Sequence, residues 1–127
     1  MSALEKFSLD FHIETTPRLL YTLISTPEGL TRWFAHTMLL EEGEFLFNWE
    51  GNEQHAKLVE AKENEYVMFQ WLEDYHKDLF LEMRIDTNPE MEGVTLVITD
   101  YAEASDVDFS KRLWESQVGQ LQRIFNA

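Results

Sequence analysis

Alternating apolar and polar residues mark the first element of the chain. Phe7, Leu9, Phe11 and Ile13 fall on one face of an extended segment over 5–14, and the residues between them are polar. A period of two is typical of a strand with one buried face. The pattern therefore predicts a half-buried strand here.

Two helix-start signals follow in close succession. Thr16-Pro17 and Thr26-Pro27 each place a capping hydroxyl before a proline at the first helical position. The first helix has an apolar stripe made by Leu19, Leu20, Leu23 and Ile24, and the second runs through Leu30, Trp33 and Phe34. We predict two short consecutive helices.

The middle of the chain predicts six strands. They cover 37–42, 44–50, 54–62, 66–73, 79–86 and 94–101, and turn residues such as Gly51-Asn52, Asn88-Pro89 and Glu92-Gly93 separate them. Connections of hairpin length between neighbours favour an antiparallel sheet.

A long amphipathic helix is predicted over 105–126. Ser105 and Asp108 have the spacing of a capping box, and an apolar stripe repeats through Trp114, Val118, Leu121 and Phe125. We expect the stripe to be buried on the concave face of a curved sheet. The prediction is an α+β fold of order β-α-α-β6-α, with seven antiparallel strands wrapped around the last helix.

Composition supports one ordered domain over 1–127, because hydrophobic residues make up 44% of the chain. Ten basic and 24 acidic residues give a formal charge of −14. Such acidity disfavours nucleic acid and anionic membranes as partners, since phosphate binding requires Lys and Arg patches.

The sequence lacks the residues and motifs that several kinds of functional site require. There is no cysteine, which excludes a disulfide scaffold, a thiol nucleophile and Cys-based metal sites. No glycine-rich phosphate loop, dinucleotide motif or nucleophile elbow occurs, so we expect no cofactor. Without a signal-peptide pattern or an apolar run long enough to span a membrane, we expect a soluble cytoplasmic protein.

The order of elements and the residues at their corners resemble the START-like (helix-grip) superfamily, which includes the birch-pollen allergen. The segment Thr26–Phe34, which reads TPEGLTRWF, is similar to a signature of the 90-kDa heat-shock protein ATPase activator homologues. Gly43–Phe47, Val59–Trp71 and Val94–Asp100 resemble the strands of that family, and the Trp114 helix resembles its closing helix. Within the superfamily, the chain resembles a small bacterial stand-alone member.

The resemblance implies an apolar or amphipathic ligand held between the sheet and the long helix, with the two short helices at the entrance. Each aromatic or apolar candidate has a second interpretation as ordinary core, and Phe69 and Trp71 are further aromatic candidates. Gly119 within the helix indicates either room for a ligand or close packing against the sheet. The predicted cavity residues are Trp33, Phe34, Phe45, Phe47, Trp49, Met83, Leu96, Ile98, Asp100, Trp114, Val118 and Leu121.

Asp100 has two interpretations. If Leu96 and Ile98 point inward, it does too, and it could orient a ligand hydroxyl or amine. The simpler interpretation, which we expect, is a strand-end carboxylate in water. Asp74, His76 and Asp78 alternate like metal ligands, but a solvated hairpin tip is expected and no metal is predicted.

Two other classes of function stay open. A protein-interaction module would follow from the resemblance to chaperone activators, with the −14 charge steering a basic partner, and surface aromatics would allow a homodimer. An enzyme of cyclase or hydrolase type would have to use Asp100, Tyr101 or His55. No catalytic residue is assigned, and a non-catalytic binding protein is the leading hypothesis.

Overall fold

A long helix packs against one face of an antiparallel sheet. The computed structural model describes residues 4–72 and 79–125. The helices there are α1 (Pro17–Ser25), α2 (Pro27–Thr31) and α3 (Val107–Phe125), with 3₁₀ turns at Glu41–Gly43 and Ala104–Asp106. The strands are β1 (Leu4–Ile13), β2 (His36–Leu39), β3 (Glu44–Trp49), β4 (Asn52–Lys62), β5 (Tyr66–Trp71), β6 (Phe80–Asp86) and β7 (Val94–Glu103).

The sheet has the order β1-β7-β6-β5-β4-β3-β2, and every neighbouring pair is antiparallel. Consecutive strands pair from β2 to β7, and β1 then joins the far side of β7. A register shift between Leu58 and Glu60 interrupts the pairing of β4 with β5, and such bulges bend a sheet. The predicted α+β fold, a curved seven-stranded sheet with a long C-terminal helix, is confirmed.

Threonine caps start both short helices as the sequence predicts. Thr16 Oγ1 accepts a hydrogen bond from the Leu19 amide at 3.3 Å, and Thr26 Oγ1 accepts one from the Gly29 amide at 3.0 Å. Thr26 also donates to the Thr22 carbonyl oxygen at 2.7 Å, so one residue ends α1 and begins α2. The two helices therefore meet with almost no linker.

The core lies between the sheet and the helices. Alternate residues of the strands point into it, as the period of two predicts. Leu20, Ile24 and Leu30 enter from the short helices, and Val118 and Leu121 enter from α3. The sheet contributes Phe45, Phe47, Phe69, Leu81, Met83, Leu96 and Ile98, all almost fully buried.

Several predicted boundaries differ from the structure. The second short helix, expected to run through Trp33 and Phe34, ends at Thr31, because the Arg32 amide donates to the Gly29 carbonyl oxygen in a tighter turn. The strand expected over 37–42 ends at Leu39, because Glu42 (φ 61°) and Gly43 (φ 76°) leave the extended region. The turn expected at Gly51-Asn52 instead uses Glu50 (φ 50°) and Gly51 (φ 95°), and Asn52 already belongs to β4.

The C-terminal helix also begins later than predicted. Strand β7 continues to Glu103, and the 3₁₀ turn uses the residues expected to cap the helix, so that α3 starts at Val107. Residue 73, expected at the end of a strand, and residue 126, expected in the helix, lie outside the described residues.

Candidate functional site

Phe34 lies at the centre of an aromatic cluster between α3 and the sheet. Its ring stacks on Trp114 with centroids 5.3 Å apart and an interplanar angle of 15°. Phe47 and Trp49 meet the same ring edge-on, at 5.2 and 5.1 Å. Edge-to-face and offset-stacked pairs are the favoured aromatic geometries, so the cluster holds Phe34 firmly.

Hydrogen bonds from side chains to the backbone attach the segment after α2 to its surroundings. The Trp33 indole donates to the Leu23 carbonyl oxygen at 2.8 Å and so joins this segment to α1. The Phe34 carbonyl oxygen accepts from Trp49 Nε1 at 2.9 Å and from Gln117 Nε2 at 3.0 Å. The Trp-Phe pair of the resembled signature thus connects α1, α2, β3 and α3.

Beside this cluster is a cleft of about 290 Å³, which we call the aromatic cleft. A smaller cavity of about 170 Å³ adjoins it, shares Gln54, Trp71 and Asp100 with it, and adds Leu79 and Tyr101. The aromatic cleft is lined by Phe34, Trp49, Gln54, Trp71, Asp100, Ser110, Leu113, Trp114 and Gln117.

On the solvent side an open groove of about 640 Å³ runs between α3 and the segment after α2; we call it the outer groove. It shares Phe34, Trp49, Leu113 and Gln117 with the aromatic cleft, and Trp33 also lines it. The outer groove thus adjoins the aromatic cleft at the segment that follows α2.

Asp100 carries the charge of the aromatic cleft. Its Oδ2 atom accepts a hydrogen bond from Trp114 Nε1 at 3.0 Å. Burial raises the pKa of its carboxyl group to about 6, although hydrogen bonds from the Tyr101 amide and the Trp114 indole lower it. Desolvation outweighs both bonds, so the ionised form is stabilised less here than in water.

The expectation of a strand-end carboxylate in water is wrong for Asp100. Because β7 continues to Glu103, Asp100 is a strand residue whose position shares the inward face with Leu96 and Ile98. The helix that follows then places Trp114 against its side chain.

The whole chain, residues 1–127, matches the family model of the START-like superfamily domain. The protein belongs to the START-like superfamily. Comparison with curated proteins gave no match. The fold and the family predicted from the sequence are thereby confirmed, and the family itself does not specify a ligand.

Solved structures agree with this fold. The Aha1 dimer of Colwellia psychrerythraea aligns with a TM-score of 0.81 and 15% identity over 95% of this chain and 96% of that one. BfR322 of Bacteroides fragilis is 32% identical over 98% of this chain and 92% of that one, with a TM-score of 0.66. DynU16, a protein of the dynemicin biosynthetic locus, aligns at 0.80 and 14% identity over 96% of this chain, which spans only 47% of that chain.

The twelve predicted cavity residues occupy three places. Phe34, Trp49, Asp100 and Trp114 line the aromatic cleft, and Trp33 lines the outer groove. Ligand contact by any of them stays a prediction. The other seven are buried in the core and line neither space: Phe45, Phe47, Met83, Leu96, Ile98, Val118 and Leu121.

Several cleft residues were not singled out from the sequence. Gln54 comes from β4, while Ser110, Leu113 and Gln117 come from α3. The helical residues could have been found, because with Trp114 they follow the i, i+3, i+4, i+7 spacing of one helix face. Gln54 carries no such signal, because a polar residue in an alternating strand is ordinarily expected in solvent.

The three nominated catalytic side chains do not converge. Asp100 and Tyr101 line the small cavity. His55 follows Gln54 in β4, and successive strand residues point to opposite faces. The His55 Nδ1 atom lies 2.9 Å from Glu44 Oε2, so its ring has a structural partner outside the cleft.

The remaining predictions concern Gly119, metal sites and membrane spans. A Cβ at Gly119 would meet only an Arg123 guanidinium nitrogen, at 3.8 Å, so close packing against the sheet does not explain this glycine, which lines neither the aromatic cleft nor the outer groove. Asp74, His76 and Asp78 lie outside the described residues. Among the residues that are described, no cluster of ligands could hold a metal, and no helix is long and apolar enough to cross a membrane.

Proposed function

We propose that the protein binds a small apolar or amphipathic molecule in the aromatic cleft. The proposal rests on the residues that line the aromatic cleft. Four aromatic residues, Phe34, Trp49, Trp71 and Trp114, line the cleft with a few polar groups among them. Largely apolar concave sites with few polar groups are the usual form of small-molecule sites.

The size of the cleft limits the ligand. A volume of about 290 Å³ is at the lower end of ligand sites, which begin near 300 Å³. A ligand that loses roughly 300 Å² of apolar surface gains at most about 7 kcal/mol before ordering costs. We therefore propose a short-chain or single-ring molecule that enters from the outer groove, beside α2.

Native mass spectrometry of freshly purified protein, with a denatured control, tests whether the protein carries a ligand. A reproducible extra mass that is lost on denaturation supports the proposal and gives the size of the ligand. Titration with octanol, octylamine and octanoate tests the cleft directly. Saturable shifts of the indole N–H resonances of Trp49, Trp71 and Trp114 are expected with at least one of these probes.

A variant that fills the cleft tests the site, and a matched variant on the exposed side of the same helix is its control. Ser110 faces the cleft from α3, whereas Arg112 is exposed on the same helix and lines neither the aromatic cleft nor the outer groove. Ser110→Phe should abolish the saturable shifts and Arg112→Phe should preserve them. Equal responses of both variants, or the absence of saturable shifts with every probe, would contradict the proposed site.

A second candidate function is protein interaction, and the edge of the sheet favours it. Strand β2 is the last strand of the sheet, and its residues Met38 and Leu39 are 51% and 56% exposed. An unpaired edge with apolar side chains is a template for pairing with another chain. Because the similar Aha1 protein of Colwellia is a dimer, we propose a second copy of this chain as the occupant.

Sedimentation equilibrium over a range of concentrations tests the dimer. A mass that approaches twice 15.1 kDa, and that returns to 15.1 kDa in Leu39→Lys, is expected. A monomer at all concentrations would exclude the second copy. If a basic protein is the partner instead, its binding will weaken with salt, since the −14 charge would steer it.

A further inference from the structure

In the described lining of the aromatic cleft and its adjoining cavity, the one charged residue is an acid. Asp100 is the only Asp, Glu, Lys, Arg or His among the described residues that line them. The groups facing it are uncharged on each element: Trp49 of β3, Gln54 of β4 and Trp71 of β5, and from α3 Ser110, Leu113, Trp114 and Gln117. Tyr101 is the other titratable group in the described part of the lining.

The hydrogen bonds of Asp100 do not neutralise it. Its donors are the Trp114 indole and the Tyr101 amide, and neither carries a formal charge. Within the part of the chain that the structure describes, no charged group is a cause of the raised pKa of about 6, whose main cause is burial. At pH 7 the carboxyl group is still mostly ionised, so the cleft holds a partly buried negative charge that lacks a counter-ion among the residues described.

The aromatic walls of the cleft, like the Asp100 carboxylate, favour a positively charged ligand. The faces of aromatic rings are electron-rich, and Trp is the strongest partner for a cation. Trp49, Trp71 and Trp114 line the cleft in which Asp100 lies. An ammonium group there would meet both a carboxylate and aromatic rings, whereas an anion would be repelled by the carboxylate and by the −14 charge of the chain.

We propose that the aromatic cleft selects an organic ammonium ion on an apolar stem, held by the Asp100 carboxylate and the surrounding tryptophan rings. This inference rests on the proposed ligand-binding function and specifies the class of ligand. The apolar stem lies against Phe34 and Leu113, toward the outer groove that these residues also line. The positive charge lies at the inner end, where the cleft and the small cavity share Asp100.

The test compares three probes with the same chain length at pH 7.5: octylamine, octanol and octanoate. Binding is measured from the indole N–H resonances. Octylamine should bind at least about tenfold more tightly than octanol, as expected for a partly desolvated cation with a carboxylate and aromatic partners. Octanoate should bind most weakly of the three.

Two variants assign the selectivity to Asp100. Asp100→Asn keeps an oxygen that can accept the Trp114 hydrogen bond, and it should reduce the preference for octylamine over octanol to within about twofold. Glu103→Gln removes the same charge from an exposed position of β7 and should keep the preference. Dispersion of the indole resonances reports whether each variant is folded.

The pH dependence tests the proposal without a mutation. Octylamine affinity should fall about tenfold from pH 7.5 to pH 5, as Asp100 takes up a proton, while octanol affinity should not. Tyr101 carries no charge in this range. Equal binding of octylamine and octanol at pH 7.5 would overturn the inference and leave the proposed function standing, whereas binding of none of the probes would overturn both.

Discussion

At the scale of single residues, Asp100 shows how a neighbour in space changes a side chain that the sequence presents as ordinary. Two hydrogen bonds favour its charged form and burial disfavours it, with burial the larger effect. Its pKa of about 6 lies above the ordinary 3.8. The folded state therefore holds a proton on Asp100 at pH values where the unfolded chain has released it.

We predict that Asp100 lowers stability as the pH rises from about 4 to about 6. In that window the native state binds more protons than the unfolded state, so the free energy of unfolding falls with pH. Asp100→Asn removes this effect and should be more stable than the natural chain at pH 7, on the order of 2 to 3 kcal/mol.

Urea unfolding of both proteins at pH 4, 5, 6 and 7 measures this difference. The other carboxylates titrate in both proteins, so the comparison isolates Asp100. A stability difference that does not change with pH would contradict the raised pKa.

At the scale of elements, two helical glycines differ in the space around them, so replacement by alanine should have opposite effects on stability. Gly29 in α2 is buried, and a Cβ there would collide with the Thr22 carbonyl oxygen and come within 2.6 Å of Leu23 Cα. Both obstacles are backbone, which cannot move aside as a side chain can. The close approach of α1 and α2 therefore depends on a glycine in the Pro-Glu-Gly-Leu segment.

Gly29→Ala should destabilise the protein by more than about 2 kcal/mol, because the helices must separate to admit the methyl group. The free energy of unfolding in urea measures the loss. Since Trp33 donates to the Leu23 carbonyl oxygen, its indole N–H resonance should move as well. An unchanged stability would show that α1 and α2 pack less closely than the structure indicates.

Gly119→Ala should act in the opposite direction. A Cβ at this position meets nothing closer than 3.8 Å, and alanine is the better helix former by about 1 kcal/mol. We expect the free energy of unfolding to rise by about 0.5 to 1 kcal/mol. A loss of stability would contradict the open space that surrounds Gly119 in the structure.

At the scale of the whole molecule, net charge opposes the fold that burial stabilises. A charge of −14 on 127 residues repels itself in the compact state, and this repulsion reaches about a Debye length. The Lys and Arg ion pairs among the described residues are Lys62 with Glu65 at 3.1 Å and Arg84 with Glu82 at 3.4 Å, and such solvent-accessible pairs add little. Salt should therefore weaken the net repulsion by more than it weakens the attractive ion pairs.

Stability should increase on the order of 1 kcal/mol between about 0.01 M and about 1 M sodium chloride. Thermal unfolding at several salt concentrations measures it. Chloride is preferred to sulfate because sulfate stabilises proteins by exclusion from their surface. A stability that falls with salt would mean that attractive pairs outweigh the net repulsion.

The sequence by itself determined the elements and their order. Periods of two and of 3.6 residues, threonine caps before prolines and turn residues are local signals, and each acts within a few positions of the chain. They predicted β-α-α-β6-α and the apolar faces of β1, β3 and β6. Their errors include Glu42, Glu50 and Ser105, where a left-handed residue or a 3₁₀ turn shifts a boundary by a few residues, and Trp33, where a turn has already ended the second helix.

Only the tertiary structure decided which apolar residues fill the core and which line a cleft. Phe47 and Trp49 are two positions apart on the same face of β3, yet the first is fully buried and the second borders the cleft. The difference depends on how far α3 and Phe34 extend over the sheet, which periodicity does not encode. The environment of Asp100 likewise depends on Trp114, fourteen residues away and on another element, because burial is a property of the packed chain.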